Sequence, residues 1–203
     1  MTAEKALQML REIRDVAFAT VSEKGRPEVR IIDVMLVDRD RLYFCTSRGK
    51  NFHAQLMQTG YVAVTGLTKD YKSIRLTGKV KIMEDKKIWI DRIFEENPSM
   101  KDVYPGESRY ILDPFCITDG FVEVFDLGTT PIERESFTIG SGVIPEKGFM
   151  ITDACIGCGI CAAGCPQKAI DEGDRHVIRQ NNCLHCGLCF ENCPVQAIRK
   201  LEK

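Results

Sequence analysis

The sequence predicts a mainly β N-terminal domain, closed as a barrel or a sandwich, followed by a small cysteine-rich domain. Eight of the ten cysteines fall in the last quarter of the 203 residues, so composition alone divides the chain in two. Ahead of them come six or so strand-length segments joined by short helices, which fit a curled sheet better than a doubly wound parallel one. Residues 128–148 hold four glycines and two prolines and read as a partly tethered linker. The expected divisions are residues 1–128, a linker over 129–147, and residues 148–203.

Taken in order, Thr2 is an N-cap for a helix whose apolar stripe is Ala6, Leu7, Leu10 and Ile13. Val16–Val21 and Val29–Val37 are the arms of a hairpin that turns at Lys24-Gly25-Arg26-Pro27. Arg41–Thr46 is a third strand, Asn51–Gln58 a short helix with Phe52, Leu56 and Met57 as apolar positions, and Tyr61–Gly66 a fourth strand. The clearest alternation sets Ile74, Leu76, Val80 and Ile82 on one face against Arg75, Thr77, Lys79 and Lys81 on the other. Gly78, on the apolar face, marks a bulge or a bend in the sheet. Asp85–Glu96 reads as a helix stopped by Asn97-Pro98, and Lys101–Arg109 as a loop. Cys116–Thr118 and Phe121–Phe125 are the last strands, and Phe137 and Ile139 anchor the linker. Trp89, Cys45 and Cys116 read as buried packing residues, while His53 and His176 show no partner.

Charge excludes several partners. Lys and Arg number 28 against 29 Asp and Glu, without a basic cluster, which argues against nucleic acid and anionic membranes. No apolar run reaches the ~18 residues of a membrane span, and the N-terminus lacks a signal-peptide core, so a cytoplasmic protein is expected.

The cysteine-rich part writes C-x-x-C-x-x-C-x-x-x-C-P twice. The first copy is Cys155, Cys158, Cys161, Cys165 and Pro166, and the second is Cys183, Cys186, Cys189, Cys193 and Pro194. Each member is shifted by 28 positions, and the shift continues through Ala169/Ala197 and Ile170/Ile198. A cubane iron–sulfur cluster needs four thiolates, and two-residue gaps let three sulfurs from one loop turn onto three corners. Zinc takes two C-x-x-C pairs per ion, and a disulfide framework has no need of this spacing twice. Two [4Fe–4S] clusters are therefore expected. Gly157, Gly159 and Gly187 suit loops that approach the inorganic core, and His185 reads as shielding or tuning a cluster.

From about Phe149 to Arg199 the chain resembles the bacterial two-cluster ferredoxins, with all eight ligand positions present. The resemblance implies an α+β domain of two pseudo-symmetric halves with crossed ligation. Cys155, Cys158, Cys161 and Cys193 would hold one cluster, and Cys183, Cys186, Cys189 and Cys165 the other. From about Leu7 to Leu127 the chain resembles the flavin-binding split barrels related to pyridoxamine phosphate oxidase. That likeness rests on Pro27-Glu28-Val29-Arg30-Ile31-Ile32, on Leu42-Tyr43-Phe44-Cys45-Thr46-Ser47-Arg48-Gly49-Lys50, and on Gly120-Phe121-Val122-Glu123-Val124. It implies a six-stranded split barrel, a homodimer, and FMN at the subunit interface.

A flavin phosphate is a dianion and takes Arg or Lys together with hydroxyl and N–H donors. Arg30, with Thr46, Ser47, Lys50 and Asn51 at a strand-to-helix turn, supplies such a set, and the resemblance lays the isoalloxazine edge along Ile31, Ile32 and Asp33. The family's pyridoxal-specific residues are not recognisable, and no catalytic residue is assigned. The two parts together predict an iron–sulfur flavoprotein oxidoreductase linking a ferredoxin-like redox partner to a small organic substrate. A non-catalytic electron carrier, a flavin or nitro-compound reductase, and a ligand-binding or sensor module are the alternatives. No G-x-G-x-x-G follows a strand to signal a nicotinamide domain.

Overall fold

Thr2 Oγ1 accepts the N–H of Lys5 at 3.2 Å and opens α1 (Ala3–Ile13), whose Ala6, Leu7, Met9 and Leu10 are buried. The computed structural model describes residues 1–202. The chain divides into one unit of Met1–Lys69, Ser73–Val124 and Ser136–Val143, and a second of Asp70–Lys72, Phe125–Glu135 and the residues from Ile144 onward.

The first unit is a curled antiparallel sheet with few short helices, the split barrel expected from the sequence. Its elements, apart from the end residues Lys72, Phe125, Asp126 and Glu133–Glu135 that count with the second unit, are β1 (Asp15–Val21), β2 (Pro27–Asp33), β3 (Leu36–Asp38), β4 (Arg41–Ser47), α2 (Asn51–Thr59), β5 (Tyr61–Leu67), β6 (Lys72–Ile82), α3 (Lys86–Glu96), α4 (Met100–Val103), β7 (Leu112–Asp126) and β8 (Glu133–Ile139). The strands run in the order β2-β1-β5-β6-β7-β4-β3, with β8 beside β7. The hydrophobic core centres on Phe18, Phe44, Phe52 and Phe115, with Phe18 and Phe44 at 4.9 Å and Phe44 and Phe115 at 5.6 Å between ring centroids. Each such ring contributes about 1.5–3 kcal/mol by leaving water. A second cluster packs Ile90, Ile93 and Phe94 of α3 on Met35, Cys45 and Leu112. Asn97 ends that helix and ties it down, donating through Nδ2 to Met35 O and Ile93 O, both at 2.8 Å.

Several elements differ from the sequence expectation. The strand expected over Val29–Val37 breaks where Val34 N turns to Arg14 O and Met35 N to Tyr43 O, so its second part pairs with β4 as β3. The two last strands are one 15-residue β7. Gly78 marks a close strand approach: a Cβ there would lie 2.7 Å from Ile117 Cγ2, and one on Gly120 only 2.1 Å from Thr77 O. The stretch 101–109 carries α4 and part of a 3-10 turn, and within the stretch read as linker β8 is a strand whose Ile139 is buried in the core, with Phe137 against it.

The second unit carries β9 (Lys147–Ile151), α5 (Ile160–Gly164), β10 (Ile170–Asp171), β11 (Val177–Ile178), α6 (Leu188–Glu191) and β12 (Ile198–Glu202), with β9 on β12 and β10 on β11. Its two halves repeat in detail. Cys155 N bonds Thr152 O and Cys183 N bonds Gln180 O; Ala163 N bonds Gly159 O and Glu191 N bonds Gly187 O. The left-handed positions also recur in step, at Gly157/His185, Gly159/Gly187 and Lys168/Gln196. Ala169 and Ala197 are buried alike, at 0% and 1% exposure. No helix among the described residues is long and apolar enough to cross a membrane.

Candidate functional site

The cysteines of the second unit line two of its cavities in crossed sets. One, with ≈ 370 Å³ of empty space, is walled by Cys183, Cys186, Cys189 and by Cys165 from the other repeat, with Phe149 and Ile178 behind them. The other, with ≈ 310 Å³, is walled by Cys155, Cys158, Cys161 and by Cys193, with Ile151 and Ile198. The structure thus groups the eight cysteines in the same two sets that crossed ligation requires. Cys158 and Cys186 are exposed, the other six half-buried, and all eight are free of disulfides. Among the described residues no group of three or more His, Cys, Asp or Glu side chains is placed to hold a single metal ion; the thiols stand around a space instead.

Backbone amides reach the sulfurs in a repeated pattern. Ala169 N donates to Cys165 Sγ at 3.4 Å and Ala197 N to Cys193 Sγ at 3.2 Å, while His185 N donates to Cys183 Sγ at 3.4 Å. These contacts stabilise thiolate, the form that binds iron. Burial acts the other way, pushing the Cys189 thiol up to about 11 and raising Cys161 and Cys183 as well. Cys155 is lowered, by the N–H groups of His176 and then Gly157. His176, left without a partner by the sequence, is 3% exposed, lines the Cys155 cavity and holds Gly173 O through Nδ1 at 2.9 Å.

In the first unit, Arg30 lies half-buried between β1, β2 and α2. Its Nη1 donates to Thr20 Oγ1 at 2.6 Å, its Nη2 to Gln55 Oε1 at 3.0 Å, and the guanidinium lies 4.7 Å above the Phe52 ring. Glu28 pairs with it at 3.2 Å, and burial lowers its pKa. Lys50 stands exposed just before α2, with Asn51 opening the helix and Ser47 O accepting the Lys50 N–H at 3.1 Å. Arg30 therefore meets α2 at Gln55 and Phe52, while Lys50 precedes its first turn. Thr46 is 2% exposed, and its Oγ1 is buried with no hydrogen-bond partner. Burial pushes the Cys45 thiol up to about 12, with Asp33 adding to the rise and Lys50 opposing it, so both charges are felt at one point. β2 ends the sheet and exposes Ile31 (63%) and Val29 (71%), while Ile32 and Asp33 are half-buried.

A cluster missed in the sequence gathers on Asp113. His53 Nε2 lies 2.8 Å from Oδ2, and Lys86 Nζ and Arg48 Nη1 lie 2.9 and 3.3 Å from Oδ1. Burial raises this carboxyl, but Lys86, His53 and Arg48 outweigh it and hold it below the usual range. The signal was an acid inside the apolar run Ile111–Ile117, since a buried carboxylate needs cations.

Residues 2–101 match the pyridoxamine 5'-phosphate oxidase family, and residues 154–197 match the 4Fe-4S dicluster domain. No curated protein matches the chain. Among solved structures, a NimC/NimA family protein of Clostridium acetobutylicum is 24% identical with a TM-score of 0.58, over 68% of this chain and 92% of its own. A Clostridium acetobutylicum protein related to general stress protein 26 of the pyridoxinephosphate oxidase family is 15% identical with a TM-score of 0.54, over 67% of this chain and 96% of its own. A heme binding protein from Mycobacterium smegmatis is 13% identical with a TM-score of 0.53, over 68% and 58%. These likenesses show the fold. The chain thus joins a split barrel of the pyridoxamine phosphate oxidase type to a ferredoxin-type cluster domain, as both resemblances in the sequence implied.

Proposed function

We propose that this protein is an iron–sulfur flavoprotein oxidoreductase, passing electrons between a one-electron carrier protein and a small organic substrate through two [4Fe–4S] clusters and FMN. The observation that carries the reading is the crossed lining of the two cavities: each draws three cysteines from one repeat and the fourth from the other. When bound, the clusters pass one electron at a time, and the flavin takes one or two and exchanges hydride with an organic molecule.

The chain's own residues divide the work. Cys155, Cys158, Cys161 and Cys193 hold one cluster, and Cys183, Cys186, Cys189 and Cys165 the other, while the amides of Ala169, Ala197 and His185 offset the negative charge on sulfur. Arg30, Ser47, Lys50 and Asn51 bind the FMN phosphate, and the buried Thr46 hydroxyl, which lacks a protein partner, turns to the same ligand. The outer edge of β2 at Ile31, Ile32 and Asp33 would receive the isoalloxazine, and a second copy would cover the exposed Val29 and Ile31.

The test is anaerobic purification with metal and cofactor analysis, then a screen for oxidants that reoxidise the reduced protein. About eight iron and eight sulfide per chain with one FMN support the reading. Zinc, or one or two metal ions per chain, would remove the clusters from it; haem or another ligand in place of FMN would remove the flavin; and no turnover with any oxidant would leave an electron carrier.

A further inference from the structure

The segment Phe125–Glu135 belongs to the second unit and is bonded to both of its repeats. Ile132, 4% exposed, donates its N–H to Gln167 Oε1 at 3.0 Å and receives Asn182 Nδ2 on its carbonyl at 2.9 Å. Two residues on, Arg134 stacks its guanidinium 4.5 Å above the Phe125 ring, and its Nη2 donates to Cys183 O at 3.2 Å. The Nε of this side chain is fully buried. A permanent cation is therefore fixed at the backbone of one cysteine of the cavity formed by Cys165, Cys183, Cys186 and Cys189.

Among the described residues, the first repeat shows no equal contact. Its corresponding cysteine, Cys155, has Arg175 as the cation nearby. That guanidinium pairs with Asp153 at 2.6 Å, and the two side chains are 53% and 94% exposed, so water and salt screen it. Sequence duplication makes the two cysteine sets equivalent, and the environment makes them different.

We propose that Arg134 raises the reduction potential of the cluster carried by Cys165, Cys183, Cys186 and Cys189 above that of its twin, so that an electron given up by a one-electron donor rests first on that cluster. The inference rests on the two-cluster reading above. A fixed positive charge favours whichever form carries more negative charge, and adding an electron makes the cluster one unit more negative. Arg134 is a positioning and tuning residue here, with no role in holding iron.

The test is an anaerobic potentiometric titration of the full chain with dithionite and mediators, followed by electron paramagnetic resonance, on the wild type, Arg134→Gln and Arg134→Lys. Each is repeated with Cys158→Ala, which leaves the cluster of Cys165, Cys183, Cys186 and Cys189 to be read alone. Wild type should give two separate potentials. Arg134→Gln should lower the higher one by about tenfold in the one-electron equilibrium, ~59 mV, and leave the other in place; Arg134→Lys should keep most of the difference. Coincident wild-type potentials with about eight iron per chain overturn the proposal without any variant, as does an equal shift of both clusters in Arg134→Gln. About four iron per chain in the wild type would instead overturn the two-cluster reading itself.

Discussion

His53 Nε2 stands 2.8 Å from Asp113 Oδ2, and Asp113, the buried end of that contact, is 1% exposed. The carboxylate is tolerated there because Lys86 and Arg48 complete its charge balance from the rim. Asp113→Ala leaves Lys86, Arg48 and the His53 ring facing a gap and should cost roughly 3 kcal/mol in urea unfolding. The folded-state pKa of Asp113 lies below its ordinary value, so its contribution is present above the unfolded pKa and fades as pH falls through the folded one. Asp113→Asn should flatten the acid limb of the stability curve below about pH 4; an unchanged acid limb would show that the ion cluster carries no such linkage.

Thr46 offers a test that separates binding from stability. Its hydroxyl is buried without a partner, a state that costs about 1–3 kcal/mol. Thr46→Val should therefore stabilise the FMN-free protein by about 1 kcal/mol in thermal melts and weaken FMN binding by roughly fivefold. Equal or tighter FMN binding in Thr46→Val would take that hydroxyl out of the flavin site.

Lys50 should act on the phosphate alone. Loss of one charge-assisted contact is worth about 1.5–3 kcal/mol, so Lys50→Ala should bind FMN roughly ten- to a hundredfold more weakly with iron content unchanged. Fluorescence titration of the apoprotein and iron analysis read the two quantities separately.

The crossed cysteine sets predict a pattern among double variants. Cys165→Ala with Cys183→Ala strikes one cavity twice and should leave about four iron per chain, whereas Cys165→Ala with Cys155→Ala strikes both and should leave none. The reverse pattern would mean that each repeat closes on its own cluster.

Gly120 should tolerate no side chain. A Cβ would meet Thr77 O at 2.1 Å and Gly78 Cα at 2.6 Å, both main-chain atoms of the neighbouring strand. Gly120→Ala should cost about 3 kcal/mol or prevent folding, read as a fall in melting temperature.

What the sequence made legible was local. The alternation over Ile74–Ile82 and the capping Thr2 each involve residues a few positions apart, and both elements form where the pattern put them. What it hid was the pairing of distant residues. The register of β4 on β7 sets Thr46 opposite Asp113, and Arg30 reaches back to Thr20 and forward to Gln55; no periodicity encodes such matches. Arg134 was hidden for another reason, since glycine and proline around it read as slack chain while burial of Ile132 and the Phe125 ring give it a fixed seat.

The bonds made by Phe125–Glu135 bear on how the electron-carrying part could be moved to another scaffold. A gene fragment starting at Gly148 would contain every cysteine of both repeats but omit Ile132, so the amide side chains of Gln167 and Asn182 would each lose a main-chain partner. It would also omit the Tyr71 carbonyl that receives the Leu127 N–H at 3.3 Å, the tie that fixes the start of this segment. A transplantable cassette must therefore include residues 125–135 as a second piece, and a protein engineer who trims by cysteine spacing alone would deliver a module with an open seam beside Cys183.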